Sequence, residues 1–282
     1  MITPVAAGLV TYNLYPELVS GSVEHAEAAL GAIREHDIFE VWEIPYRDGI
    51  YDDPKVRSLL QDKTLLIGTQ TSFIQQGMSV AAVDDDAWNH AYTHLTSAVQ
   101  LAAEIGATYL AMWGGESTQE RPGSPERTLK AIEGVRTRAE DGGVRLLIEA
   151  FPRCSFSASL VPDHHTAVEL CKAAGGALGI MFDPAHHTLA GSSLPLDSWE
   201  HVDYLQLAAG GIDPHGQPVD SHPLFGADDA NLGWADMLSL VDNGVRAGYE
   251  GAATFEVKAE PAKRRAMLET LAGLGRELTE PR

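Results

Sequence analysis

Cysteine is nearly absent from this chain: Cys154 and Cys171 are the only two in 282 residues. Two thiols so spaced build neither a disulfide framework nor a zinc knuckle, so both are expected to be ordinary thiols in a reducing compartment. Basic residues are also scarce, 20 against 40 acidic ones, for a formal charge of −20. Nucleic-acid binding draws on Lys and Arg patches that such a chain has little to spare for, so no nucleic-acid partner is expected and small neutral substrates suit it better. No run reaches the roughly 18 apolar residues that a membrane span needs. The N-terminal MITPVAAGLVTYNLY has neither the basic start nor the cleavage pattern of a signal peptide. A soluble, cytoplasmic protein without a membrane partner is the expectation.

What is present is a steady alternation of strand and helix signals. Apolar runs predict strands over Ala6–Val10, Phe39–Ile44, Leu65–Thr69, Thr108–Trp113, Val144–Glu149, Ala177–Asp183, Val202–Leu207 and Ala252–Val257. Between them, Trp88, Ala91, Leu95, Ala98, Ala102 and Ile105 recur at steps of three and four, and Gly106 follows as a stop. Ser124 and Pro125 supply a cap and first-turn proline for a helix ending at Gly142, and Asp163 caps one that runs to Gly175. Further helices are predicted over Val23–Glu35, Leu196–Glu200 and Gly233–Val245, and the last carries Met267, Leu271, Leu274 and Leu278. Eight strands interleaved with helices predict a (β/α)8 TIM barrel, a single domain over residues 1–282. The stretch from Ala208 to Leu232, rich in Gly and Pro, is too long for a plain connector and is a candidate substrate lid.

In a barrel, active-site groups stand at the C-terminal ends of the strands. Four predicted strands end in oxygen donors: Glu149, Asp183, Gln206 and Glu256. Any one alone reads more readily as a cap or loop charge. Together, ionised groups at the edge of an apolar barrel are costly unless paired or metal-bound, and three acids with an amide most economically share one cation. An oxygen-rich set favours manganese, magnesium or cobalt over zinc.

The motifs LIEAF with Glu149, FDPAHHTLAG with Asp183 and His186, YLQLA with Gln206, and TFEVK with Glu256 resemble the xylose isomerase-like TIM-barrel superfamily over nearly the whole chain. That group includes sugar isomerases and epimerases, type-2 AP endonucleases, hydroxypyruvate isomerases and dehydroshikimate dehydratases. The resemblance implies one divalent ion, manganese first and magnesium or cobalt next, held by Glu149, Asp183, Gln206 and Glu256. It also implies that Glu149 and Glu256 double as the acid/base pair. Gln206 stands where sugar epimerases usually carry His, which is closer to the isomerase and dehydratase branches. The loop after it lacks the former's pattern and only faintly matches the latter's around Ser221 and His222. The nuclease branch uses additional His ligands, whereas here GTQT holds Gln70 and AMWGGES holds Trp113, so one metal is expected rather than three.

Such a site supports proton removal beside a carbonyl through a metal-stabilised enediolate. The expected activity is therefore isomerisation or epimerisation of a small sugar or polyhydroxy carbonyl compound. A lyase of the same fold, acting on dehydroshikimate or a 3-oxo-glycoside, is the alternative, and a non-catalytic binding subunit the second. His186, three residues past Asp183, is expected to touch substrate or orient a ligand. His187 is expected to be structural, and His164 and His165 to cap a helix or face solvent. Lys258, placed at i+2 from Glu256 on one strand face, can polarise a substrate oxygen or pair with a carboxylate. Glu43 and Trp113, at the ends of strands two and four, are candidate pocket-lining residues. His215 and His222 lie in the long loop, where exposure is the ordinary expectation, with His222 kept as a substrate-binding candidate. Barrels of this kind commonly pair, so a homo-oligomer is also expected.

Overall fold

Eight parallel strands close into a barrel in this computed structural model, which describes residues 5–280. The strands are β1 (Ala7–Val10), β2 (Val41–Pro45), β3 (Thr64–Gly68), β4 (Tyr109–Trp113), β5 (Arg145–Glu149), β6 (Leu178–Phe182), β7 (Val202–Leu207) and β8 (Ala253–Phe255). Each pairs with its neighbours in sequence, and β1 closes the ring against β8. Helices connect them on the outside, as right-handed β-α-β crossovers require. No helix among the described residues is long and apolar enough to cross a membrane.

The interior is filled by side chains in layers, because alternate residues of every strand point inward. Val41, Leu66, Ala111, Leu147, Met181 and Tyr204 form a buried cluster, one from each of β2 to β7. Two residues further along the strands the same face carries Glu43, Gly68, Trp113, Glu149, Asp183 and Gln206, so an apolar plug supports a polar cup. A register irregularity between β6 and β7, where Ile180 faces Val202 but Met181 faces Tyr204, brings Tyr204 and Gln206 onto the inner face. Gly8 is required by close approach: a Cβ there would lie 2.6 Å from the Val41 carbonyl oxygen and against the Thr254 side chain. Gly8→Ala is expected to destabilise the barrel by about 1–3 kcal/mol through overpacking, read from the urea midpoint.

One sequence expectation is corrected. No helix forms over Leu196–Glu200; the helix after β6 is Pro184–Leu189, started by Asp183 as N-cap and Pro184 at its first position. Leu196 and Trp199 are apolar at i and i+3, but one such pair is too short to nucleate a helix, and they pack inward from irregular chain. The segment 208–232 is ordered by its own contacts, with Gly211–Ile212 antiparallel to Pro218–Val219, Gly211 bridging Ala230, and Phe225 packed on Trp234 and Phe255.

Candidate active site

Each acidic side chain reaches the cup for a local reason. Glu149 ends β5 on its inner face. Asp183 follows β6, and its Oδ1 accepts from the backbone N–H groups of Ala185 (2.6 Å) and His186 (3.3 Å). That cap occupies one oxygen and leaves Oδ2 buried without a hydrogen-bond partner. Glu256 follows β8, and its N–H still donates to Leu207 at 2.9 Å, so the sheet holds its backbone. Gln206 donates through Nε2 to both oxygens of Glu43, at 3.2 and 3.4 Å. Because β2 and β7 are separated by β1 and β8, this contact crosses the lumen and both side chains point inward.

Ligand atoms of Glu149, Asp183 and Glu256 all lie within 4.8 Å of one another, and those of Asp183, His186 and His222 do the same. Glu149 is held by Gln70, whose Nε2 donates to its Oε2 at 2.7 Å, while its Oε1 stands 3.0 Å from Nδ1 of His186. Asn13 donates to Glu256 Oε1 at 2.9 Å. Gln206 Oε1 and Glu256 Oε2, like Asp183 Oδ2, are buried and unpartnered. Asp220, from the long loop, stands between two imidazoles, 3.3 Å from His186 Nε2 and 2.8 Å from His222 Nε2. His222 in turn lies 3.6 Å from Glu256. Phe151 packs its ring 4.8 Å from that of His186.

Burial sets the electrostatics. It pushes the Glu149 carboxyl up to about 7, with His186 pulling the other way and Glu256 adding to the rise. Burial and then Glu256 hold Glu43 well above the usual carboxylate range, against the hydrogen bond from Tyr12. Glu256 is raised by burial as well, with His222 opposing. For His186, burial disfavours the charge, but Asp183, Asp220 and Glu149 outweigh it and its pKa is raised well above that of a free imidazole. Burial likewise opposes charge on His222, and Glu256 and Asp220 raise it. Burial works to raise Asp220, yet the two histidines hold it well below the usual range.

The sequence-derived residues separate into two groups. Glu149, Asp183, Gln206, Glu256 and His186 share the cup, and Glu43 sits against Gln206, fully buried with Tyr12 donating to it at 2.6 Å. Trp113 closes the β4 side, buried against Phe156 with Nε1 unpartnered. His222 is 4% exposed, against the expectation for a loop histidine, because the loop folds back over the barrel mouth. Lys258 does not share the face of Glu256. The strand ends at Phe255, alternation ceases, and Lys258 is exposed, with its N–H donating to the His222 carbonyl of the loop at 2.9 Å. His187 and His164 donate through Nε2 to the carbonyls of Ser193 and Ser198, each at 3.2 Å, outside the cup, and His165 is exposed. Asp220 was not anticipated, although an Asp two residues before a His in a long Gly- and Pro-rich loop is a readable signal. Nor were Tyr12, Asn13 and Phe151, which follow β1 and β5.

Residues 30–277 match the family described as xylose isomerase-like TIM barrel. The chain belongs to that family. β1, with Tyr12 and Asn13, precedes the matched span. Among solved structures, this family member is similar to a D-tagatose 3-epimerase-like protein, at 17% identity and a TM-score of 0.70, covering 96% of this chain and 98% of that one. It is also similar to D-psicose 3-epimerase from Clostridium cellulolyticum H10, solved with D-tagatose, at 14% identity and TM-score 0.68 over 97% and 98% of the two chains. A xylose isomerase-like TIM barrel protein from Mycobacterium smegmatis, in complex with magnesium, follows at 14% identity and TM-score 0.63 over 99% and 98%. At these identities the likeness is one of fold. No curated protein matches the chain.

Proposed function

We propose that this protein is a divalent-cation-dependent isomerase or epimerase of an uncharged small sugar or polyhydroxy carbonyl compound. The observation that carries this reading is the set of three buried oxygens that accept no hydrogen bond, Asp183 Oδ2 (with His186 Nδ1 3.3 Å away), Gln206 Oε1 and Glu256 Oε2, contributed by three successive strand ends beside Glu149. Leaving such atoms unsatisfied is costly, and an all-oxygen donor set suits manganese, magnesium or cobalt. When bound by Glu149, Asp183, Gln206 and Glu256, the ion supplies Lewis-acid stabilisation of negative charge developing on the substrate oxygens.

The chain's own residues supply the proton chemistry. Glu149, with Oε2 held by Gln70 and Oε1 3.0 Å from the His186 imidazole, is poised to take a carbon-bound proton beside a carbonyl. Glu256, oriented by Asn13 and arriving from a strand three places around the ring, is the partner acid. Two carboxyl groups from different strands let a proton leave one face of a carbon and return to the other, which is epimerisation. His186 and Phe151 form the adjoining wall, one polar and one apolar face, suited to a sugar. The charge balance favours an uncharged substrate. Glu43, Glu149, Asp183, Asp220 and Glu256 are met by His186 and His222, and among the described residues no Lys or Arg pairs with any of the five. A carboxylate such as dehydroshikimate or hydroxypyruvate would enter without a Lys or Arg to pair with it, leaving only the cation and the two histidines already engaged by the acids.

The test is to strip the protein with chelator, titrate manganese, magnesium and cobalt by calorimetry, and follow ketoses in deuterium oxide by proton NMR. One ion per chain and deuterium exchange at the carbon beside the carbonyl are expected, with an epimer or aldose as product. A dehydrated or cleaved product would assign the lyase alternative, and a protein that neither binds an ion nor exchanges deuterium would sink the reading.

A further inference from the structure

We infer that Glu43 is a positioning residue that fixes the amide of Gln206 with its oxygen turned toward the acidic cup. A Gln side chain has two nearly isosteric orientations, and what surrounds its two ends decides between them. Here Nε2 lies 3.2 and 3.4 Å from the two oxygens of Glu43, and Oε1 is buried with no partner. With a cation in the cup favouring ionised Glu43, the reverse orientation would set oxygen against oxygen at Glu43 and turn two N–H donors toward Glu149, Asp183 and Glu256, where a cation would then be repelled. Glu43 thus makes an ambiguous side chain into an oxygen donor.

Glu43 is itself fixed from the opposite side. Tyr12 donates its hydroxyl to Glu43 Oε1 at 2.6 Å, and the carboxylate has no exposed surface. Gly68 makes the meeting possible. A Cβ at that position would lie 2.8 Å from the Tyr12 hydroxyl, 3.2 Å from Gln70 Oε1 and 3.5 Å from Glu43 Oε1, so any side chain on β3 here would displace the group. Three strand ends, those of β1, β2 and β3, are therefore shaped around orienting one amide on β7. Such outer partners of a donor set the donor's direction and its affinity for an ion. With both oxygens engaged by protein donors, Glu43 is assigned to bracing Gln206 rather than to contacting substrate.

The inference rests on the reading that the cup holds a divalent ion, and a double-mutant cycle in manganese affinity separates the two. Wild type, Glu43→Gln, Gln206→Ala and the double variant are stripped with chelator and titrated with manganese by calorimetry, with urea midpoints to confirm folding. Glu43→Gln is expected to weaken manganese binding about 10- to 100-fold in the wild-type background. In the Gln206→Ala background the same change is expected to cost no more than about twofold, because the group it orients is gone. An equal loss in both backgrounds would mean that the Glu43 charge acts on the ion directly and would overturn the inference, as would no loss in the wild-type background. A wild-type protein that binds no manganese would remove the proposed function and this inference together. Should Glu43→Gln not fold, Tyr12→Phe carries the same cycle without changing charge: loss confined to the chain that keeps Gln206 supports the inference, and any other pattern overturns it.

Discussion

Glu149→Gln is expected to lower turnover by roughly 10²- to 10⁴-fold, the range that a positioned general base contributes. The substitution keeps the volume of the side chain and its place against Gln70, whose Nε2 donates to Glu149 Oε2 at 2.7 Å. What it removes is the capacity to accept a proton. It also removes one of several mutually repelling buried acids, so the ion-free variant is expected to be at least as stable as wild type near pH 8. Loss of turnover without loss of stability is the signature that distinguishes a chemical role from a structural one. Measured kcat in the presence of saturating manganese, beside urea midpoints of the stripped proteins, checks both halves. A variant retaining more than about a tenth of wild-type kcat would assign the proton transfer elsewhere. Glu256→Gln is expected to behave similarly, with Asn13 in the place of Gln70.

Much of this arrangement was legible in the sequence because regular periodicity and strand order are local properties. The six apolar positions from Trp88 to Ile105 span several turns, and the helix Asp85–Ile105 follows them. Ser124 accepts from Arg127 N as the cap its place before Pro125 predicts, and the eight predicted strands match within two residues at either end. The acidic strand ends were legible for the same reason: a charge closing an apolar run marks where the sheet meets solvent. Short helices such as Thr11–Leu14 and Gln70–Gln75 hold too few residues for a period to show. Asp220 carried a local signal in its place two residues before His222, but its role is tertiary. It lies 34 residues from His186, and only the fold-back of the long loop brings them within 3.3 Å. Lys258 failed for the opposite reason, since a period of two was extended past the point where β8 ends. Glu43 was read as lining the pocket because strand alternation fixes a side chain's direction but not what meets it across the lumen.

The partners chosen for the acids explain how a cup so negative folds at all. Gln70, Asn13, Gln206 and Tyr12 are neutral donors, and they leave the carboxylates hydrogen-bonded without neutralising them. An Arg or Lys in the same places would complete the charge balance and occupy the space a cation needs. The histidines are the only cationic groups paired with these acids among the described residues, and both reach the cup beside Asp220. Stability is thereby tied to what fills the centre of the site.

From that follows the second large effect: the ion-free protein is expected to lose stability as pH rises from 5 to 8, and divalent cation is expected to offset part of that loss. Glu149 has its folded pKa raised from 4.5 to about 7. A raised pKa means the folded state binds the proton more tightly, so the contribution is full below about pH 4.5 and is lost as pH climbs through 7. Taken alone it amounts to roughly 3 kcal/mol at 1.36 kcal/mol per pH unit. Glu43 and Glu256 are raised too and act in the same direction, as do His186 and His222, whose contributions vanish only above their own raised values. Asp220 is lowered, so its contribution is present above the ordinary aspartate range, is lost only in stronger acid, and is constant across this window. Bound cation needs the ionised carboxylates, so its stabilisation grows with pH and reaches about 2.7 kcal/mol at a hundred times the dissociation constant. Urea unfolding at pH 5, 6, 7 and 8, with chelator and then with manganese, reads both slopes. Two flat and coincident profiles would mean that these carboxylates neither repel one another in the cup nor share an ion.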